Sequence, residues 1–335
     1  MELNWNYSPY TAATDTTESL IRMANRIKPR RESTPQSPLT FKRITPGDMR
    51  EIWPMLQRET GRTTDFSYGG VLMWVDFFKY EYTLYQDTLF IKGTVESDLS
   101  KCAFSLPIGS LPLSESVGLL RDYCKSNGLD LEFSAIPEYA LEEFGKLSPR
   151  CIEPLDDWGD YLYEAEQLAF LKGKKMSKKR NHVNKFVSLY PDWRLEPLTP
   201  ANAPEAMAFM DRFDAEGDST DMAVAERKLS RAMIAEMSNG DSVLKGAILY
   251  AEGKVCAYTI GDIKGDTLFI HVEKATRKTE GSYEMVNAMF ARHIVENYPE
   301  IRFINREDDA GDMGLRMAKE SYHPHSILKK YNILF

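Results

Sequence analysis

The sequence predicts an α/β protein of the mixed α+β kind, in which one α/β unit occurs twice. Two strand-like runs each lead through a Thr-Pro pair into an amphipathic helix pattern, at residues 41–56 and 193–213. Threonine caps helix N-termini and proline fits the first helical turn. In both halves a helix pattern then leads into a strand pattern, at residues 117–133 and 285–304. A repeated order of elements indicates a duplicated unit.

The individual elements follow from apolar periodicity and turn residues. In the first half, strands are predicted at residues 82–85 and 88–91. The second half predicts, in order, a strand at 193–198, two helices of which the second covers 224–237, strands at 242–250, 254–260 and 267–274, a helix at 282–297, a strand at 301–305, a helix at 314–320 and a last strand near 327–331. Glycine turns at residues 251–253 and 264–266 separate the central strands.

Composition fits two globular units. The chain has 335 residues, of which 43% are hydrophobic, so it can bury two sizeable cores. No apolar run approaches the ~20 residues that cross a bilayer, and no secretory signal pattern is present. The four cysteines form no C-x-x-C pair, so neither a metal site nor a disulfide framework is predicted, and we expect a cytoplasmic protein. The net charge of −8 restricts any polyanionic partner to a local patch.

The composition also predicts domain boundaries. Residues 1–38 are rich in Ser, Thr and Pro, which predicts an extension that is disordered or strapped to the surface. The first unit is expected at residues 39–160. A basic connecting helix and the second unit are expected at residues 161–335.

Three motifs carry a resemblance to a known family. They are the basic segment at residues 171–186, the strand at 269–275 and the stretch at 304–324. Together they resemble soluble relatives of the cytosolic, C-terminal domain of bacterial phosphatidylglycerol lysyltransferase, a family related to the Fem-type aminoacyltransferases. The resemblance implies two tandem GNAT-like (acyl-CoA N-acyltransferase) units, each a mixed sheet flanked by helices. It also implies transfer of an aminoacyl group from charged tRNA to an amine or hydroxyl.

Three function classes stay open at this point. The first is an aminoacyl- or acyltransferase that works in the cleft of the second unit, with aminoacyl-tRNA or an acyl-CoA as donor. The second is a non-catalytic binding module for an anionic ligand, namely tRNA, a lipid headgroup or a nucleotide. The third is a CoA-dependent N-acetyltransferase. The loop at residues 276–281 contains a single glycine, which argues against the third class.

The basic segment is the predicted anion site. Seven cations fall between residues 172 and 185 of an otherwise acidic chain. Such a cluster can clamp the phosphates of tRNA or of an anionic lipid headgroup, and it can equally be a solvated helix that joins two domains. The residues assigned to anion binding here are Lys178, Lys179, Arg180 and Asn181.

The predicted catalytic residues are His271 and Glu273. They lie two apart on a predicted strand, so both should project to one face while Ile270 and Val272 point to the core. Glu273 can accept the proton of an attacking amine or hold an α-ammonium group, and His271 can shuttle a proton. The alternative interpretation is that His271 and Glu273 have no catalytic role and form the solvent-facing polar side of an amphipathic strand.

Two further groups are assigned to substrate or anion binding. The first follows the strand with the candidate catalytic pair and opens the next helix, where amides can hold an anion: Arg277, Lys278, Gly281, Ser282 and Tyr283. The second follows the strand after that helix: Asn305, Arg306, Asp309, Lys319 and Tyr322. The alternative interpretation is that this second group only ends the strand and caps the next helix. Arg316 is expected to form an ion pair with Glu307, Asp308 or Asp312, and residues 323–325 are expected to be structural.

Overall fold

The computed structural model describes residues 37–95, 98–214, 221–238 and 242–335. The predicted extension therefore lies outside the described residues except for its last two positions. Fifteen strands are described, which in chain order are β1 (Lys42–Arg43), β2 (Glu81–Tyr85), β3 (Thr88–Val95), β4 (Asp98–Phe104), β5 (Ile108–Gly109), β6 (Glu132–Pro137), β7 (Cys151–Pro154), β8 (Asp160–Glu164), β9 (Arg194–Pro197), β10 (Lys245–Ala251), β11 (Lys254–Lys264), β12 (Thr267–Ala275), β13 (Phe303–Asn305), β14 (Ser326–Leu328) and β15 (Lys330–Leu334).

The α-helices include the segments predicted as helices, but those at residues 68–74, 141–145 and 165–170 were not predicted. In the described ranges they are α1 (Met49–Leu56), α2 (Tyr68–Trp74), α3 (Leu113–Asn127), α4 (Leu141–Gly145), α5 (Ala165–Phe170), α6 (Ser177–Leu189), α7 (Ala203–Asp214), α8 (Asp221–Met237), α9 (Ser282–Asn297) and α10 (Met313–Glu320). Thr45 and Pro46 begin a short 3₁₀ turn before α1, and the backbone amide of Thr45 donates to Asp48 Oδ2 over 2.9 Å. Helix α6 covers residues 177–189, so only the last ten residues of the basic segment at 171–186 are helical.

The two sheets have the same strand order. The first runs β1-β2-β3-β4-β6-β15-β7, with β5 beside β3, and the second runs β9-β10-β11-β12-β13-β8-β14. In each sheet one parallel pair lies at the same place, β4 with β6 and β12 with β13, and the other neighbours are antiparallel. Two mixed sheets flanked by helices confirm the predicted fold class, and their matching order is what duplication of one unit predicts.

The two halves of the chain exchange one strand each. β8 directly follows β7 along the chain, yet it lies between β13 and β14 in the second sheet. β15 follows β14, yet it lies between β6 and β7 in the first sheet. The single last strand predicted near residues 327–331 was therefore wrong. It is two short strands in two sheets, because the chain crosses at Lys329 from one sheet to the other.

One hydrophobic core joins the two halves. Its buried side chains come from α1 and α2 of the first half and from α7, α8 and the strands β10–β12 of the second half. Ile52, Met233 and Ile260 are almost completely buried in it. Burial of apolar surface stabilises by ~25 cal/mol per Å², so this shared core holds the two units against each other.

Candidate functional site

A cleft of about 380 Å³ lies where the two units meet. Its apolar wall comes from the first unit, from the end of α2 and the loop that leads to β2: Met73, Trp74, Phe77, Phe78 and Tyr80. Its charged wall comes mainly from the second unit, from β12, from the loop after β13 and from α10: His271, Glu273, Lys274, Arg306, Glu307, Asp308, Asp309 and Lys319. Neither unit forms this cleft alone.

The sheet topology brings these second-unit elements together. β12 and β13 are parallel neighbours, with Phe269 opposite Asn305. The chain that leaves the carboxyl end of β13 therefore passes beside the second half of β12. Ligand sites of open α/β sheets gather at such strand ends.

A β-bulge sets the direction of His271. Ile260 lies opposite Val272, but the next residue, Gly261, lies opposite Ile270, so His271 is the extra residue on β12. Bulges re-aim side chains and are frequent beside active sites. Ile270 and Val272 were expected on the same face, but they pack in different hydrophobic clusters because the bulge interrupts the alternation.

His271 is buried between two carboxylates. Its Nε2 lies 2.6 Å from Asp262 Oδ1 and its Nδ1 lies 2.8 Å from Glu307 Oε1. Although burial opposes the charge, the hydrogen bonds to Asp262 and Glu307 raise the pKa of His271 to about 10. His271 is therefore an imidazolium at neutral pH, with both ring nitrogens donating to carboxylates. This arrangement suits a structural cation better than a proton shuttle.

Asp262 connects this imidazolium to the first unit. Its carboxylate also accepts from the backbone amide of Gly69 over 2.8 Å, in the first turn of α2. A Cβ atom at Gly69 would overlap the imidazole ring of His271, so only glycine allows this approach. The pair therefore fixes the start of α2, and with it the apolar wall, against β12.

Glu273 is held by its own cation. Arg306 Nη2 donates to Glu273 Oε1 over 2.8 Å, and Asn287 Nδ2 donates to Glu273 Oε2 over 3.1 Å. The Arg306 guanidinium lies 4.9 Å from the ring centre of Tyr322, and Lys179 Nζ lies 4.1 Å from the same centre. Although burial opposes it, the Glu273 carboxylate raises the pKa of Arg306 further above its usual range.

The loop after β13 is fixed by buried hydrogen bonds. Asn305 is fully buried; its Nδ2 donates to the carbonyl of Arg62 over 2.6 Å and to Asp160 Oδ2 over 2.8 Å. Its Oδ1 accepts from the amide of Glu307, which adopts φ +58°. A non-glycine residue in this left-handed region is strained and is often found at functional sites. Asn305 therefore shapes the loop from behind and does not line the cleft.

Asp309 and Lys319 close the loop at its far end. Asp309 accepts from both Nε and Nη2 of Arg316, over 2.9 and 2.8 Å, and from the hydroxyl of Tyr161 over 2.6 Å. Although burial opposes the shift, the bonds from Arg316 and Tyr161 lower the pKa of Asp309 to about 2. Arg316 forms an ion pair as expected, but its partners are Asp309 and Asp157 and not the expected Glu307, Asp308 or Asp312. Lys319 Nζ donates to the carbonyls of Arg306 and Asp308, and burial lowers its pKa.

Most of the predicted anion-binding residues lie outside the cleft. Of the predicted site residues, those that line it are His271, Glu273, Tyr283, Arg306, Asp309 and Lys319. Gly281 has φ +80° and begins α9, where a Cβ atom would lie 2.8 Å from the carbonyl of His182. Ser282 is buried and donates to the carbonyl of Thr276 over 2.9 Å. These two residues join α9 to its neighbours, while Arg277 and Lys278 are exposed on the preceding loop.

Some cations of the basic segment bond to neighbouring groups of the protein, and others are exposed to solvent. Lys179 forms an ion pair with Glu284 over 3.4 Å, and Arg180 donates to the carbonyls of Leu171 and Gly173. Lys178 and Asn181 are exposed. Lys174 and Lys175 are exposed too, and both line a second hollow of about 330 Å³ that His323 and His325 share.

Sequence reasoning missed the residues that the first unit and the exchanged strands contribute. They are the aromatic wall of the cleft, Asp65 and Lys330 on its lining, and Asp160 beneath it. Within the second unit, Glu307 and Asp308 on the lining and Asp262 on β11 were missed as well. Asp262 offered a signal, since a carboxylate within the apolar run of β11 must have a buried partner. The residues of the first unit and of the exchanged strands have partners far away in the sequence and offered no local signal.

The comparisons with known proteins agree with this architecture. The family model described as "Phosphatidylglycerol lysyltransferase, C-terminal" matches residues 58–334. The crystal structure of a conserved protein of unknown function from Bacteroides thetaiotaomicron is 30% identical with a TM-score of 0.79, over 89% of this chain and 99% of that chain. L-PGS from Bacillus licheniformis is 13% identical with a TM-score of 0.58, over 85% of this chain and 91% of that chain. FemX is 9% identical with a TM-score of 0.54, over 89% of this chain and 98% of that chain.

One curated relative is also similar. An uncharacterised protein of Mycoplasmoides gallisepticum is 25% identical over 175 residues, which are 51% of this chain and 54% of that protein. The match thus spans about half the length of that relative. The predicted resemblance is confirmed, and the more distant structures share the fold. Within the described ranges, no helix has the length and apolar content that a bilayer crossing requires.

Proposed function

Because this chain belongs to the family of the phosphatidylglycerol lysyltransferase C-terminal domain, we propose that it moves an aminoacyl group from a charged tRNA to an amine or hydroxyl acceptor. Family membership supports an aminoacyl- or acyltransferase at the coarse level. The donor and the acceptor chemistry are the proposed part. The reaction is assigned to the cleft between the two units.

The observation that carries this proposal is the two-sided character of the cleft. An aromatic wall from the first unit faces a wall of paired charges from the second unit across about 380 Å³. Ligand sites of this size combine apolar surface with a few fixed polar groups. An aminoacyl group offers the matching chemistry, since its side chain can pack on the aromatic wall. Its α-ammonium can meet a carboxylate such as Glu307.

A polyanionic donor also needs a cationic approach surface. Three exposed lysines at the start of the basic segment, Lys174, Lys175 and Lys178, have no carboxylate within ion-pair distance among the described residues. In a chain of net charge −8 they are a local positive patch. In this proposal the patch holds phosphates of the tRNA, and an anionic lipid headgroup is the competing partner.

The direct test is a transfer assay with the full chain. The purified protein is mixed with tRNAs that carry radiolabelled amino acids and with small amines, alcohols or phosphatidylglycerol vesicles. The proposal expects the label to leave the tRNA and to appear in one acceptor class only when the protein is present. It fails if every charged tRNA loses its label at the spontaneous rate. Binding of uncharged tRNA without transfer would indicate a binding module instead, and consumption of acetyl-CoA would indicate an acetyltransferase.

A further inference from the structure

Five carboxylates line the cleft, and four of them are already paired with cations. Lys330 Nζ lies 2.9 Å from Asp65 Oδ2, and Arg306 Nη2 lies 2.8 Å from Glu273 Oε1. His271 Nδ1 lies 2.8 Å from Glu307 Oε1, and Arg316 Nη2 lies 2.8 Å from Asp309 Oδ1. A neighbouring positive charge favours the ionised form of a carboxylate and so makes it a weaker base. At Asp65 burial outweighs this effect and raises the pKa, but its Oδ2 is occupied by Lys330.

Asp308 is the fifth carboxylate, and its position is different. Its Oδ1 accepts one bond, from the amide of Ala310 over 3.0 Å. Among the described residues, no lysine, arginine or histidine nitrogen lies within ion-pair distance of its side chain. The carboxyl group is thus oriented by one backbone amide, while Oδ2 keeps its lone pairs for a ligand in the cleft.

The backbone around Asp308 is rigid, which a general base requires. Glu307 before it is held in the left-handed region by Asn305 and His271. Lys319 donates to the carbonyl of Asp308 itself. The loop therefore holds the Asp308 carboxyl group at a fixed place on the cleft lining, opposite the aromatic wall, with no ion pair to a described residue.

We propose that Asp308 is the general base of the transfer reaction. This inference rests on the proposed function. When the acceptor amine or hydroxyl attacks the ester carbonyl of the aminoacyl-tRNA, Asp308 Oδ2 takes the proton from the attacking nitrogen or oxygen. A new C–N or C–O bond forms, and the C–O bond to the tRNA ribose breaks. The proton on Asp308 then passes to the leaving ribose oxygen, which restores the carboxylate.

The electrostatic surroundings suit this role. Burial raises the pKa of Asp308 to about 7. The nearby cations Lys330 on β15 and Lys319 on α10 lower the pKa of Asp308. The nearby carboxylates of Asp160 on β8 and of Glu307 raise it. A general base works best when its pKa is close to the working pH.

The test combines a titration with kinetics. Infrared difference spectra between the wild-type chain and Asp308→Asn isolate the carboxyl group, which should titrate near pH 7. In the transfer assay with a hydroxyl acceptor, Asp308→Asn should lower the single-turnover rate by ~10²–10⁴-fold and abolish the rise in rate on the acid side. Asp308→Glu should keep part of the rate and should shift the pH at which the rate rises on the acid side of the profile. The matched control is Glu320→Gln, an exposed carboxylate on α10 that does not line the cleft.

The outcomes separate the inference from the proposed function. A wild-type chain that transfers while Asp308→Asn keeps its rate within about twofold of wild type overturns the inference alone. A carboxyl that titrates at the ordinary aspartate pKa of about 4 also overturns it. If the wild-type chain transfers nothing from any charged tRNA, the proposed function fails, and the role of Asp308 fails with it. Equal melting temperatures of wild type and Asp308→Asn exclude misfolding as the cause of a reduced rate.

Discussion

Lys330 Nζ lies 2.8 Å from Asp160 Oδ1, and both side chains are almost completely buried. Lys330 is the first residue of β15 and Asp160 is the first residue of β8, so this ion pair joins the two exchanged strands at their starts. Asp160 also accepts from the amide of Thr64 over 2.6 Å, and Lys330 also pairs with Asp65. One buried pair therefore connects both sheets to the segment that precedes the aromatic wall.

Lys330→Met should destabilise the protein strongly. It leaves the Asp160 and Asp65 carboxylates buried without their cation, and removal of one partner from a buried pair costs about 3–5 kcal/mol. Urea unfolding at neutral pH measures the change. The control is Lys329→Met next to it, whose 3.7 Å pair with Glu138 is exposed. That control should stay within about 0.5 kcal/mol of wild type, and an equally small effect of Lys330→Met would contradict the account of the exchanged strands.

Glu273→Gln should destabilise the chain as well as change its activity. On a solvent-facing strand the change would barely alter the melting temperature, but here it leaves Arg306, whose side chain is only 14% exposed, without a negative partner. We expect a decrease in stability of about 3 kcal/mol, measured by chemical unfolding. Glu280→Gln removes the partner of Lys185 in an exposed pair and is the control. Unchanged stability together with a large drop in the transfer rate would instead favour Glu273 as the base.

His271 should make stability depend on alkaline pH. The folded-state pKa of about 10 lies above the ordinary value of 6.5, so the folded protein binds this proton more tightly than the unfolded chain does. The stabilisation is complete below about pH 6.5 and disappears as the pH rises towards about 10. The free energy of unfolding, compared between wild type and His271→Gln across this range, should converge with rising pH. His323→Asn, which removes an exposed histidine, is the control.

Two sets of substitutions in the basic segment should behave differently. Lys174→Ala, Lys175→Ala and Lys178→Ala together remove exposed charges, so folding should change little. If these lysines bind single-stranded RNA phosphates, the slope of log affinity against log salt should flatten by ~0.7 for each phosphate that is no longer bound. Lys179→Ala with Arg180→Ala should lower the melting temperature instead, because Lys179 packs on Tyr322 and Arg180 holds the start of α6. An unchanged salt slope in the triple variant would identify the patch as a solvated connector.

Much of the candidate site was visible from local sequence patterns. The alternation of β12 located His271 and Glu273 on one element, and the charged stretch after β13 located Arg306 and Asp309. Both groups do line the cleft. Their chemistry was not visible. A strand pattern states which residues share a face, but it does not state that a bulge will make His271 the extra residue or that Arg306 will reach back to Glu273.

The sequence by itself determined the duplicated unit and the order of most elements in its second half. Periodicity, helix caps and turn residues act over a few positions, so they can be read without knowledge of the rest of the chain. Only the tertiary structure decided that β8 and β15 change sheets and that the first unit supplies the aromatic wall. It also decided that Asp308 has no cationic partner within ion-pair distance among the described residues. These features depend on contacts between residues far apart in the chain. The burial of each carboxylate in the cleft, and the cations that the fold brings beside it, decide whether that carboxylate is paired.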